Sequence, residues 1–232
     1  NIDKINEWSL RNPNFDVEKY EFTADLLNFN ETDNLKLIVY LMQNNSFRIR
    51  FIPTNHENFN RYKLAENSFV VNQEAVDQIL LDVPRTFSGS KSFSSESLLN
   101  ILKVFALLHP DIGYCQSLNF IAAIILSIIQ DEEPAFWAFE ILITKYFPPE
   151  YYVPSMLDLS VDLCMTKMLL DERTPEIMKK TNSIGYDWIM PVSGYLLTVF
   201  SNTFPIPTVL RIWDSFILEG PKVIFRVIIS FL

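Results

Sequence analysis

Two short stretches hold the residues best suited to chemistry: DVPRTFSGS at 82–90 and GYCQSLNF at 113–120. In the first, Arg85 stands between Pro84 and a run of Thr, Ser and Gly. That sets a permanently charged, planar fork of donors on an irregular segment, whereas a solvated arginine normally rides on a helix face. The fork matches paired anionic oxygens, and a lysine there would lose the bidentate geometry. In the second stretch, Gln116 offers a donor and an acceptor on one amide. Each residue alone has a plain structural reading. A loop arginine is usually solvated or salt-bridged, a glutamine beside a helix start is usually an ordinary polar residue, and Asp82 is most often a turn or cap.

Other site chemistries are poorly served. His56 and His109 are the only histidines, and they lie too far from any cysteine to suggest zinc. No Ser-His-Asp or Cys-His set can be built around them. Cys115 and Cys164 sit in apolar neighbourhoods with no disulfide framework and no metal-ligand spacing, which fits a reducing compartment. There is no glycine-rich phosphate loop, so the chain is not expected to bind a nucleotide by itself.

The elements that must position these residues read as helices. A hydrophobic content of 49% allows one large core, and only 5 glycines argue against the repeated tight turns of a β-sandwich. Helices are expected over 33–43, 72–81, 95–108, 115–130, 134–146, 155–170, 175–181, 188–202 and 207–218, with a last one opening at Pro221. Ser94 or Ser95 caps the helix at 95–108, where Leu98, Ile101, Leu102 and Phe105 repeat at helical spacing. Pro134 is expected to open its helix, and Gly220 to close another. The apolar run FIAAIILSII at 120–129 falls well short of the ~20 residues of a membrane span and reads as a core helix. Phe136, Trp137 and Phe139 are core by default. A net charge of −9 with no Lys/Arg run makes nucleic acid a poor partner.

The fold class expected is all-α. Residues 1–31, polar with scattered aromatics, are expected to pack as an extension on a domain spanning 32–232. The last helix is still apolar at Leu232, so further C-terminal helices are expected in the parent protein. A helix over 95–108 is about 21 Å long, and 86–94 can span about 30 Å when extended. The chain can therefore run back along the helix and bring Arg85 and Gln116 to one rim.

Taken in order, the motifs resemble a known family. ILLDVPRTF holds Ile79, Asp82 and Arg85 as I-x-x-D-x-x-R, GYCQSLNF holds Tyr114 and Gln116 as Y-x-Q, and VLRIWDSFILEG follows at 209–220. Together they look like the TBC domain, the module of GTPase-activating proteins for Rab GTPases. The similarity runs from about Tyr62 to Leu232 and more weakly back to residue 32. It departs from the family in three places: Lys36 and Tyr40 stand where R-x-x-x-W is usual, Ser117 replaces a common glycine, and SGYLL at 193–197 lacks a frequent tryptophan.

The resemblance implies a V-shaped helical fold, an arginine finger at Arg85 and a glutamine finger at Gln116. It implies that Asp82 positions the arginine loop and that Tyr114 supports the glutamine loop. Tyr114 could equally pack beneath its loop, and Asn119 could either support the site or satisfy buried backbone. The partner implied is a GTP-bound Rab, which itself holds the GTP and Mg²⁺, so the chain needs no cofactor. The implied setting is vesicle trafficking in the cytoplasm, with recruitment to endomembranes through the partner or through regions beyond this chain. A catalytically silent Rab-binding module or scaffold is the alternative. Arg211, Trp213 and Asp214 read as fold-holding, and the target Rab would be chosen by loops such as 44–61 and 146–154.

Overall fold

Leu118, Ile121, Ala122, Ala123 and Ile124 are each 0% exposed, along one helix that is apolar all round. Such a helix must be enclosed on every side, and the rest of the chain is arranged to enclose it. The computed structural model describes residues 35–41, 47–53, 72–88 and 92–231. Two strands open the described chain, β1 (Leu35–Leu41) and β2 (Phe47–Pro53). Nine helices follow: α1 (Gln73–Asp82), α2 (Ser95–Leu108), α3 (Leu118–Ile129), α4 (Glu132–Tyr146), α5 (Leu157–Arg173), α6 (Pro175–Ser183), α7 (Ile189–Thr198), α8 (Ile206–Glu219) and α9 (Lys222–Phe231). The enclosed helix is α3, and it packs against α2, α4 and α7. Each fully buried Leu or Ile there contributes about 1.5–3 kcal/mol. Phe105 of α2 and Phe139 of α4 meet edge to face at 4.9 Å on its flank.

The helical body is the all-α fold expected, with one correction of element type. The helix expected over 33–43 is instead a strand, β1, which pairs antiparallel with β2 so that Leu35 faces Pro53 and Leu41 faces Phe47. The reason is readable afterwards: Phe47, Ile49 and Phe51 alternate with Arg48 and Arg50, a period of two that needs a partner strand. Lys36 and Tyr40 therefore lie on a strand. The expectations for residues 1–31, and for most of the loop 44–61, fall outside the described residues.

Helix ends follow local chemistry. Ser94 caps α2 by accepting from the Ser97 N–H at 3.3 Å. Gly220 ends α8 at φ +87, its N–H donating to Phe216. Pro134 is not the first residue of α4, which begins at Glu132. It still lies in the first turn, where a missing N–H costs nothing. The helix expected to reach 202 stops at Thr198, because Val199 and Phe200 both adopt left-handed backbone, at φ +48 and +64.

That bend is held from α8. The Trp213 indole N–H donates to the Val199 carbonyl at 2.8 Å, within a buried setting. Trp213 is thus a fold-holding residue. Arg211 is exposed. Trp213→Phe leaves the Val199 carbonyl without its donor on a strained turn and vacates part of the core. It should lower unfolding stability by about 1–3 kcal/mol in urea denaturation; an unchanged midpoint would show that the bend holds itself.

Candidate functional site

Arg85 is placed by the residues on either side of it. Asn72 caps α1 by accepting from the Glu74 N–H at 3.0 Å, and the helix buries Ala75, Ile79 and Asp82 at spacings of four and three. Ile79 is the fully buried anchor. Pro84 then turns the chain into a single 3-10 turn, Val83–Arg85. Val83 and Thr86 are buried, while Pro84 and Arg85 are exposed. The backbone is thus pinned before and after an outward-facing guanidinium. Thr86 closes the turn twice, its N–H bonding Val83 at 3.2 Å and its hydroxyl donating to the Asp82 carbonyl at 2.8 Å.

Gln116 is placed in the same manner. The chain leaves α2 through Gly113, whose φ of +59 suits glycine and whose N–H donates to the His109 carbonyl at 2.7 Å. Tyr114 is half-buried and Cys115 buried, Gln116 is exposed, and Ser117, Leu118 and Asn119 are buried. Neither Arg85 nor Gln116 has a side-chain hydrogen bond or ion pair among the described residues.

The two loops are bonded to each other. The Tyr114 phenol donates to Asp82 Oδ2 at 2.9 Å. Asn119 Nδ2 donates to Thr86 Oγ1 at 2.8 Å, and Asn119 Oδ1 accepts the Ser117 N–H at 3.2 Å. Phe87 and Phe120 add an edge-to-face contact at 5.5 Å. Burial, with the Asp82 hydrogen bond and charge behind it, pushes the Tyr114 phenol far above its ordinary range, so it remains a donor. Burial also raises the Cys115 thiol, against a smaller opposing effect of Ser117, which makes it a packing residue and no nucleophile.

Of the residues singled out in the sequence, Asp82, Tyr114 and Asn119 join in the bonds between the loops. Ile79 lies beneath the arginine loop, and Arg85 and Gln116 face solvent beside those bonds. One expectation is corrected. Gln116 does not stand at the start of a helix, because α3 begins only at Leu118. The Leu118 N–H is taken by the Cys115 carbonyl and the Phe120 N–H by Ser117, so the helix end offers Gln116 little help. Sequence reasoning missed Thr86, and marked Ser117 only as standing where a glycine is common. Thr86 looked like one more polar residue in TFSGS, and only its position directly after Arg85 could have marked it.

Among the described residues, no His/Cys/Asp/Glu group could hold a metal ion. No helix among them is long and apolar enough to cross a membrane. An open cleft of about 490 Å³ lies between α5 and α9, lined by Leu169, Arg173, Lys222 and Arg226 among others. It is built from different helices and shares no residue with either loop.

The Rab-GTPase-TBC domain family model matches residues 39–232. The chain belongs to this family. Growth hormone-regulated TBC protein 1 of Xenopus tropicalis is 34% identical over 166 residues, which cover 68% of this chain and 48% of that protein. TBC1 domain family member 2A of Homo sapiens is 35% identical over 158 residues, covering 66% of this chain and 17% of that protein. The chain thus spans about half or less of the length of these TBC relatives. Among solved structures, the Chlamydomonas flagellar RabGAP TBC domain aligns with a TM-score of 0.62 at 24% identity, over 74% of this chain and 57% of that one. The Ypt/Rab-GAP domain of Gyp1p aligns with a TM-score of 0.66 at 18% identity, over 75% of this chain and 65% of that one. Both share the TBC fold with it.

Asp82 is only 6% exposed, so losing its phenolic donor leaves a buried carboxylate short of a partner. Tyr114→Phe should destabilise the domain by about 1.5–3 kcal/mol in urea denaturation, the range for a hydrogen bond to a charged group. A change within a few tenths would mean that water replaces the phenol.

Proposed function

We propose that this TBC domain accelerates GTP hydrolysis on a Rab-family GTPase in its GTP-bound state. In this reading Arg85 neutralises charge on the reacting phosphoryl group and Gln116 orients the attacking water. The observation that carries it is the pairing of two exposed side chains, Arg85 and Gln116, with no side-chain partner among the described residues, on loops bonded to each other through buried groups.

Phosphoryl transfer develops charge on the equatorial and bridging oxygens, and the water must attack in line. A guanidinium brought from outside supplies permanent charge and two parallel donors without any proton transfer. An arginine supplied in this way is worth roughly 10³–10⁵ in rate, or about 4–7 kcal/mol of barrier. Gln116 can accept from the water through its carbonyl while its NH₂ faces a phosphate oxygen. A group held ready before the partner arrives loses little freedom on binding, which lowers the cost of assembling the transition state. GTP and Mg²⁺ come with the Rab. Recruitment to endomembranes during vesicle trafficking then follows the partner's own membrane attachment.

Single-turnover GTP hydrolysis across a panel of Rab proteins tests this reading. Wild type should stimulate at least one Rab strongly. Arg85→Ala should remove about three orders of magnitude or more of that stimulation, with Arg85→Lys recovering little, and Gln116→Ala should also abolish most of it. Stimulation that survives Arg85→Ala rejects the finger assignment, and tight binding with no stimulation by wild type identifies a silent binding module.

A further inference from the structure

We infer that Asn119 and Thr86 are positioning residues that make the two finger loops a single unit, and that Asn119 also holds Ser117 in a backbone conformation suited to glycine. This rests on the proposed function for its catalytic consequence, though not for its structural one.

Asn119 is the second residue of α3 and 2% exposed, directly after the fully buried Leu118. Its backbone is therefore anchored in the core. Its amide meets one group from each loop. Nδ2 reaches Thr86, which directly follows Arg85, and Oδ1 reaches the N–H of Ser117, which directly follows Gln116. A residue serving only its own helix end would need the second bond alone. The first spans thirty-three positions of sequence and ties one finger to the other.

The polarity of this chain of bonds is determined. The Thr86 hydroxyl proton goes to the Asp82 carbonyl, so its oxygen is left as an acceptor, which the NH₂ of Asn119 satisfies. Turning the amide over would set a donor against the Ser117 N–H and an acceptor against an oxygen with no proton to give. Aspartate at 119 is consequently no substitute, despite its identical shape. Valine at 86 keeps the volume but removes the acceptor and strands a buried donor.

Ser117 gives the latch a second task. Its φ is +147 with ψ −29, a region that glycine enters freely and other residues rarely occupy. Its side chain is buried, with Oγ 3.8 Å from Cys115 Sγ. The Asn119 carbonyl oxygen holds its N–H. Without that bond the strained residue can relax, and Gln116, one peptide earlier, turns with it. Glycine at 117 would lack the strain that drives this relaxation.

The test uses the full chain with Thr86→Val, Thr86→Ser, Asn119→Asp, Asn119→Ala, and Asn119→Ala combined with Ser117→Gly. Hydrogen exchange is read over residues 114–118, and kcat and KM are read on a Rab that wild type stimulates. Thr86→Val should speed exchange in the glutamine loop by about tenfold or more although the change lies in the arginine loop, while Thr86→Ser leaves it as in wild type. Thr86→Val and Asn119→Asp should each lower kcat roughly ten- to hundredfold, as misplacement of a reacting group does, with KM within about twofold. Asn119→Asp still accepts the Ser117 N–H, whereas Asn119→Ala loses both bonds, so adding Ser117→Gly should recover part of the loss in Asn119→Ala. Should Thr86→Val fail to unfold cooperatively, Thr86→Ala carries the same comparison with less crowding. Unchanged exchange in Thr86→Val, equal losses in the Val and Ser variants, or a loss confined to KM would each overturn the latch. If wild type stimulates no Rab, the functional reading fails, yet the exchange comparison still decides the latch.

Discussion

Tyr114 donates to a carboxylate that water can scarcely reach, and Asn119 donates to a hydroxyl whose own proton is already committed. These two bonds cross between loops separated in sequence by the whole of α2. Each bond in isolation is modest, but a buried polar group left without its partner costs more than the bond itself contributes. Neither loop can shift alone without stranding a group on the other. An exposed arginine on an irregular segment would otherwise lose its placement to chain entropy at each encounter.

That constraint requires a rigid floor, which α3 provides. Because this helix is apolar on every side, it is wrapped by α2, α4 and α7, and the first residues of the helix inherit that rigidity. Asn119 can act on both loops because Leu118 beside it is fully buried. Ile79 does the same for the arginine loop from α1. Most of the polar work is thus done by side chains one residue away from a core anchor, and the two finger side chains themselves make no bonds within the described domain.

Strain appears where chain direction must change sharply. Val199 and Phe200 take left-handed backbone at the end of α7, held by the Trp213 indole, and Ser117 takes a glycine-like conformation at the start of α3, held by Asn119. In both places a buried side chain supplies the partner that makes the local conformation tenable.

Much of the fold was legible in the sequence because helix signals are local. Ser94 as a cap, Gly220 as a stop and the period of Leu98, Ile101, Leu102 and Phe105 each depend on residues within a turn or two. Arg85 and Gln116 were legible as candidates because their motifs are short and ordered along the chain. The paired strands 35–41 and 47–53 were misread, since pairing depends on a second strand that a single window does not contain. The face on which α5 packs was equally hidden: Leu159 and Leu170 are buried while Leu157, Val161, Met165 and Met168 are exposed on the opposite side, and apolar residues on both faces give periodicity no preference. Sequence by itself therefore determined most of the helical segments from residue 72 onward and which two side chains are chemically equipped. Tertiary structure decided that Thr86, Ser117 and Asn119 join those segments into one site, because a hydrogen bond between positions thirty-three residues apart exists only once the core has brought them together.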